Sequence, residues 1–260
     1  MLALIGLALL AALLWLPDLL PEESELVPVE PPGERPVPIA EPLRDPEPPA
    51  PPEVAEAEPE PAEPLPPLSR SDAWVRTEAA GLSDQAAFRQ GLQAEDLVRR
   101  FVAAVDEVSD GGSPRSHLEF LAPRGRFRTV FRDGRLVTDP RSFRRYDAVA
   151  KAVASLDAGR CVRLYRRAGP LVEKAFVDLG YEDARFRERI EAALALLLTT
   201  PVPRGDEELF QPGVYWEYRD ESLEGLEPAQ KQLLRMGPEN VRRVQAKLRE
   251  LASALEVPER

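Results

Sequence analysis

"LLRMGPENVRRVQAKLRELASAL", residues 233–255, places a Gly-Pro pair between two helix-like runs. Gly237 fits the position just past a helix end. Pro238 suits the first turn of the next helix, where a missing N–H forfeits no intrahelical bond. Beyond it Val241, Val244, Leu248, Leu251 and Leu255 recur every three or four residues, the narrow apolar stripe of an amphipathic helix. Arg242, Arg243, Lys247 and Arg249 fall outside that stripe, with Glu239 and Glu250 among them. A helix that reads nucleic acid gathers its basic residues on one face. These are spread round the circumference, as on a solvated helix, and the pattern speaks against a nucleic-acid partner.

The same period runs back through residues 97–198. Leu97, Val98, Phe101, Val102, Val105 and Val108 share a face, and Gly111-Gly112 ends the run. Asp139-Pro140 reads as an N-cap followed by proline at the first helical position, leading to Tyr146, Val149, Val153 and Leu156. Asp157 caps a further helix bearing Tyr165, Ala168, Val172, Phe176 and Leu179, with Gly180 as the stop. Pro170 inside it predicts a kink or a split. Another helix runs from about Ala184 through Phe186, Ile190, Leu194 and Leu197 to Thr199–Pro201.

Two stretches break this period. "RFRTVFRDGRLVTD", residues 126–139, sets Asp133-Gly134 between β-prone runs, a hairpin signal. "VYWEYR", residues 214–219, alternates like a half-buried strand. Since a lone hairpin is marginal in water, this strand is expected to join it. The fold class is mainly α (α+β): a helical domain with a small antiparallel sheet of two or three strands.

The first 67 residues differ in kind. Residues 1–16 carry no charge, and residues 17–67 hold 18 of the 28 prolines and 14 acidic residues against two arginines. That segment is therefore −12, which leaves +1 for residues 68–260 of the chain's −11. Three divisions follow: a membrane anchor at 1–20, an acidic proline-rich disordered linker at 21–67, and an α-rich domain at 68–260. Sixteen helical residues reach about 24 Å, short of the ~30 Å hydrocarbon core unless Leu19 and Leu20 extend them. A cleaved signal would show a basic start and a small-residue cleavage site, and neither is there. Proline stiffening and like-charge repulsion deny the linker a packed core. The order anchor, linker, domain is read as a single-pass membrane protein with its domain outside the cytoplasm.

Chemistry is sparse. One cysteine, Cys161, and one histidine, His117, exclude the common His- and Cys-rich zinc sites and any intrachain disulfide, and no nucleotide-binding glycine motif occurs. No cofactor and no metal are expected. The arginines are more informative. Residues 124–145, which include Arg144 and Arg145, hold eight arginines against two aspartates. Arg160, Arg163, Arg166 and Arg167 occupy one arc of the following helix. Three readings stay open: internal pairing with the eight acidic residues of 206–227, an anion or headgroup site, and docking of the chain's own acidic linker.

Four stretches carry a resemblance: "LSRSDAWVRTEAAGLS" (68–83), "DLVRRFVAAVDEVSDGGSPRSHLEFLAP" (96–123), "SFRRYDAVAKAVASLDAGRCVRLYRR" (142–167) and "YWEYRDESLEGLEPAQKQLLRMGPENVRRVQAKLREL" (215–251). Together they resemble the bacterial family catalogued as domain of unknown function 3014. "LEPAQKQLLRMGPENV" is the most distinctive part. The resemblance implies a membrane anchor and a proline-rich linker before the domain, and implies no activity, substrate or catalytic residue. The expected function is a non-enzymatic binding or scaffold module of the cell envelope, taking a protein or envelope component as partner. The alternative is a hydrolase acting on an envelope polymer through paired carboxylates.

Overall fold

The computed structural model of the chain describes residues 64–119, 123, 125–181 and 185–257. The expected anchor at 1–20 and all but the last four residues of the linker lie outside these. After a 3-10 turn at Leu68–Arg70, ten α-helices are formed among the described residues. They are α1 (Asp72–Ala79), α2 (Ala86–Gly91), α3 (Leu97–Ser109), α4 (Pro140–Arg144), α5 (Asp147–Ala154), α6 (Ala158–Asp178), α7 (Phe186–Leu198), α8 (Glu221–Glu224), α9 (Pro228–Leu234) and α10 (Pro238–Ala254). Four short strands, β1 (Thr129–Arg132), β2 (Arg135–Thr138), β3 (Leu209–Phe210) and β4 (Glu217–Tyr218), complete the mainly helical fold.

The core lies where α3, α6, α7 and α10 meet. α3 packs on both α6 and α7, and α10 packs on α5, α6 and α7. Phe101 of α3, Phe176 of α6 and Phe186 of α7 are fully buried. The Phe186 ring meets each of the other two edge-on at a centroid distance of 5.3 Å. Such edge contacts add about 0.5–1.5 kcal/mol each beyond the area they bury.

Local chemistry fixes the ends. Asp139 accepts from the Arg141 N–H at 2.7 Å and Asp157 from the Arg160 N–H at 2.7 Å, so both expected N-caps form. Gly180, at φ +104°, and Gly111, at φ +84°, close α6 and α3 in the left-handed region that glycine enters without penalty. The helix begun at Pro140 is broken at Arg145–Tyr146 into α4 and α5.

Three expectations are corrected. Of the kink or split expected at Pro170, the split does not occur, since α6 runs as one helix through it. Pro170 sits on the exposed side of the helix, where water reaches the backbone around the lost hydrogen bond. The "VYWEYR" stretch does not add to the hairpin: Glu217–Tyr218 alone is a strand, and it pairs antiparallel with Leu209–Phe210. The β1–β2 hairpin, in register Thr129↔Thr138 to Arg132↔Arg135, touches this second pair through the bridge Val137↔Glu208. Val214 and Tyr215 stay out of any strand, 52% and 59% exposed.

The third correction concerns α10, whose buried face is wider than its apolar stripe. Asn240, Gln245 and Lys247 are all buried, and each serves the end of another helix. Asn240 Nδ2 donates to Phe143 O near the end of α4 at 3.3 Å and to Asp147 Oδ1 at the start of α5 at 3.0 Å. Gln245 Nε2 donates to Leu197 O and Thr200 O, at 3.1 and 2.8 Å, beyond the last turn of α7. Lys247 Nζ donates to Leu156 O, just past α5, at 2.8 Å and pairs with Glu250. Helix C-termini leave carbonyls without intrahelical donors, and α10 supplies those donors from inside the core.

Candidate functional site

The arginines singled out on α6 divide into a fixed pair and an open pair. Cys161, Leu164, Ala168, Leu171, Val172, Ala175 and Phe176 face the core, which turns Arg160, Arg163, Arg166 and Arg167 to the surface. Arg160 Nη1 donates to Gly81 O at 2.9 Å, and its Nε stands 3.9 Å from Asp157 Oδ2. Arg167 Nη1 pairs with Glu78 Oε2 at 2.7 Å, its guanidinium 5.5 Å from the centre of the Trp74 ring. Both are thereby braced by the segment containing α1. Arg163 and Arg166 are exposed and make no hydrogen bond or ion pair with any described residue. At 1.5 Å rise per residue the four guanidinium stems span about 10 Å of helix.

Arg144 and Arg145 stand apart from that face in role. Arg145 donates from Nη1 to Gly125 O at 2.9 Å and from Nε to Ser142 O at 3.1 Å, and lies 5.8 Å from the Phe127 ring centre. It ties α4 to the chain leading into β1. Arg144 is exposed on α4.

Internal pairing between the basic and acidic segments takes a limited form. Arg135 reaches Asp206 at 3.7 Å, whereas Arg219 pairs with Glu208 (2.8 Å) within the acidic stretch itself and Glu224 pairs with Lys231 of α9 (2.6 Å). Exposed pairs of this kind are worth about 0–1 kcal/mol each, so they help set register more than stability.

A polar constellation that the sequence reading did not pick out joins α3 to α7. Arg189 of α7 places Nε 2.9 Å from Asp106 Oδ1 and Nη1 2.6 Å from Asp110 Oδ1, and its Nη2 donates to the Tyr181 hydroxyl at 3.0 Å. Tyr181 donates in turn to Asp106 Oδ2 at 3.1 Å and stacks on Phe176 at 4.5 Å. Burial pushes the Asp106 carboxyl above its ordinary value, while Arg189 and the Tyr181 hydrogen bond pull it back. Acids four residues apart at the end of α3 and just past it, facing a helix with one inward arginine, were the available signal. The arrangement clamps two helices.

Burial first, and Arg100 second among the lowering causes, depress the His117 pKa, with Glu107 opposing. The Cys161 thiol is pushed up to about 12 by burial, which keeps it protonated and unreactive. Among the described residues, no group of three or more His, Cys, Asp or Glu could hold a metal ion. Nor is any helix among them long and apolar enough to cross a membrane.

The family model described as "Protein of unknown function (DUF3014)" matches residues 97–252. The chain belongs to this family. The match begins at the first residue of α3 and ends within α10, taking in the arginine helix, the α3–α7 clamp and the Gly237-Pro238 turn. Glu78 and Gly81, which brace Arg167 and Arg160, precede the span matched to DUF3014. No curated protein matches the chain. No solved structure matches it either.

Proposed function

We propose that this DUF3014 protein is a non-enzymatic binding module of the bacterial cell envelope. Residues 1–20 anchor it in the inner membrane, and residues 21–67 carry the domain of residues 68–260 outside the cytoplasm. The domain recognises an acidic protein or an anionic envelope component through the exposed arginines of α6. One observation carries this reading: Arg163 and Arg166 are open to solvent on a helix whose neighbouring arginines are held in place, Arg167 by Glu78 of α1 and Arg160 by the Gly81 carbonyl just beyond it. Guanidinium groups offer planar donor forks suited to carboxylate or phosphate, and two braced neighbours raise the local potential at no further ordering cost.

Crosslinking in intact cells tests it, with the native chain compared against Arg163→Glu/Arg166→Glu. Circular dichroism confirms folding of both. One anionic partner captured by the native chain and lost by the variant is the expected result. A partner captured equally by both removes the arginine face from the account.

The hydrolase alternative has one constellation to support it, the Asp106 and Asp110 carboxylates bridged by Arg189. An arginine held between two acids acts as their counter-ion, a stabilising role. Turnover of an envelope polymer that Asp106→Asn abolishes without unfolding the chain would favour this alternative.

A further inference from the structure

We propose that two turns at one end of the β-strands form a tip that seats the domain on a lipid surface rich in anionic headgroups. The inference goes beyond the binding role of the α6 arginines and uses none of them.

Topology is the first support. β1 pairs antiparallel with β2 and β3 with β4, and the antiparallel bridge Val137↔Glu208 joins β2 to β3. β3 therefore runs beside β2 in the opposite direction, which brings the turn at Asp133-Gly134 and the loop at residues 211–216 to the same end. Neighbouring strands lie about 4.8 Å apart, so the two turns stand about 10 Å from each other. Both project from the body of the protein. A Cβ built on Gly134 or on Gly213 meets nothing within 4 Å.

Side-chain chemistry is the second. Tyr215, Phe131 and Val214, at 59%, 57% and 52%, are the most exposed large apolar side chains among the described residues, and all three sit on or next to these turns. Arg132 and Arg135 flank the hairpin turn and are exposed, with Asp133 the one acid in residues 131–135 and 211–216. Farther from the tip, Arg128, Arg141 and Arg144 are exposed as well. The side chains of Arg128, Arg132, Arg141 and Arg144 make no hydrogen bond or ion pair with any described residue. Residues 124–145 thus present uncompensated positive charge behind an apolar tip, the complement of an anionic surface.

Shape favours lipid over a protein partner. A standard protein interface takes about 800 Å² from each side, whereas two projecting turns offer a narrow, convex end. Phe131 lies two residues back from Asp133, about 7 Å at the rise of a strand. Apolar groups at a bilayer surface enter about 5–10 Å into the headgroup and acyl boundary, so Phe131 and Tyr215 can reach that depth together. Arg132 and Arg135 then lie with their guanidinium groups at the level of the phosphates, to which they offer paired donors.

The test uses the full chain incorporated into vesicles, with an environment-sensitive fluorophore on Gly213→Cys. That position has room for the new side chain and leaves all three apolar residues in place. Cys161 is buried and does not compete for the reagent. A second chain carries the fluorophore on Val177→Cys, exposed on α6. In vesicles of equimolar phosphatidylglycerol and phosphatidylcholine, the label at 213 should brighten about twofold, while the label at 177 keeps its emission in water. Lipids spin-labelled near the headgroup should quench the first and spare the second. Pure phosphatidylcholine, salt at about 0.5 M, Arg132→Glu/Arg135→Glu and Phe131→Ser/Tyr215→Ser should each remove most of the brightening. These four residues are exposed, so the variants should keep their fold, which circular dichroism checks. Arg163→Glu/Arg166→Glu should leave the signal unchanged, so the tip and the α6 face fail or stand separately. A label at 213 that keeps its emission in water in the anionic vesicles overturns the inference, and a photocrosslinker at Tyr215 that then joins a protein in intact cells assigns the tip to that protein instead. Equal brightening at 213 and 177, or brightening indifferent to lipid charge and to the arginine reversal, also overturns it.

Discussion

Replacing Gly237 by alanine should be among the most damaging single-methyl additions to this fold. Gly237 sits at φ +81° and ψ 166°, a region that is essentially glycine's alone. A Cβ built there would stand 2.5 Å from Phe143 Cγ, 2.7 Å from Cδ1 and 2.8 Å from Cβ of the same residue. The backbone strain amounts to about 1–3 kcal/mol. Forcing the Phe143 ring aside adds about 1–3 kcal/mol. The combined loss of about 2–6 kcal/mol, at a urea m-value of about 2 kcal/mol/M, lowers the denaturation midpoint by about 1–3 M. Urea unfolding followed by circular dichroism measures this, with Gly213→Ala as the control, since a Cβ there meets nothing within 4 Å. The steric part is isolated by adding Phe143→Ala: the two substitutions together should cost about 1–3 kcal/mol less than their sum. A Gly237→Ala chain within about 0.5 kcal/mol of native stability would refute the reasoning, because surface-like tolerance has that size. Strict additivity with Phe143→Ala would refute the steric half alone.

Further outcomes follow from the buried groups. Gln245→Ala leaves the Leu197 and Thr200 carbonyls without their shared donor and should cost about 2–4 kcal/mol in the same unfolding assay. Cys161 should react with a thiol reagent only as fast as the chain unfolds, so labelling rates should rise in step with the unfolding rate across a urea series. The folded chain binds the His117 proton less readily than the unfolded one, because burial lowers its pKa. Its contribution to stability is therefore present above the ordinary imidazole value of about 6.5 and is lost as the pH falls below it. His117→Gln should flatten the stability profile in that window, measured as the difference in midpoint between native and variant chains. Arg189→Met should loosen α3 from α7, seen as faster amide exchange at both helices, since it strands the half-buried Asp106 carboxylate.

Much of this fold is legible in the residues that punctuate it. Asp139, Asp157, Gly111 and Gly180 act through their own backbone or the N–H groups two to three residues on, so their roles can be read locally. Gly237 and Pro238 could likewise be read as a stop and a start. That Gly237 must also accommodate Phe143, 94 positions earlier, could not, because steric fit depends on tertiary placement. The same limit explains Asn240, Gln245 and Lys247, where periodicity sorts by side-chain type, yet their burial follows from three helix ends converging on α10. The "VYWEYR" stretch forms a strand only at Glu217–Tyr218, paired with Leu209–Phe210 rather than with the hairpin, and its burial does not follow the alternation of its side-chain types. On α6 the exposed arc was readable from 3.6-residue spacing. Which arginines are spoken for was not, because Glu78 and Gly81 lie some 80 to 90 positions before the side chains they hold.

The central claim is that the α6 arginine face binds acidic groups, and nuclear magnetic resonance titration of the full chain with a decaglutamate peptide tests it most directly. Amide shifts concentrated at Gly159–Lys174 and suppressed by 0.5 M salt, with affinity falling about tenfold in Arg163→Glu/Arg166→Glu, are the predicted result. Shifts centred on another surface, or unchanged by the charge reversal, would contradict it.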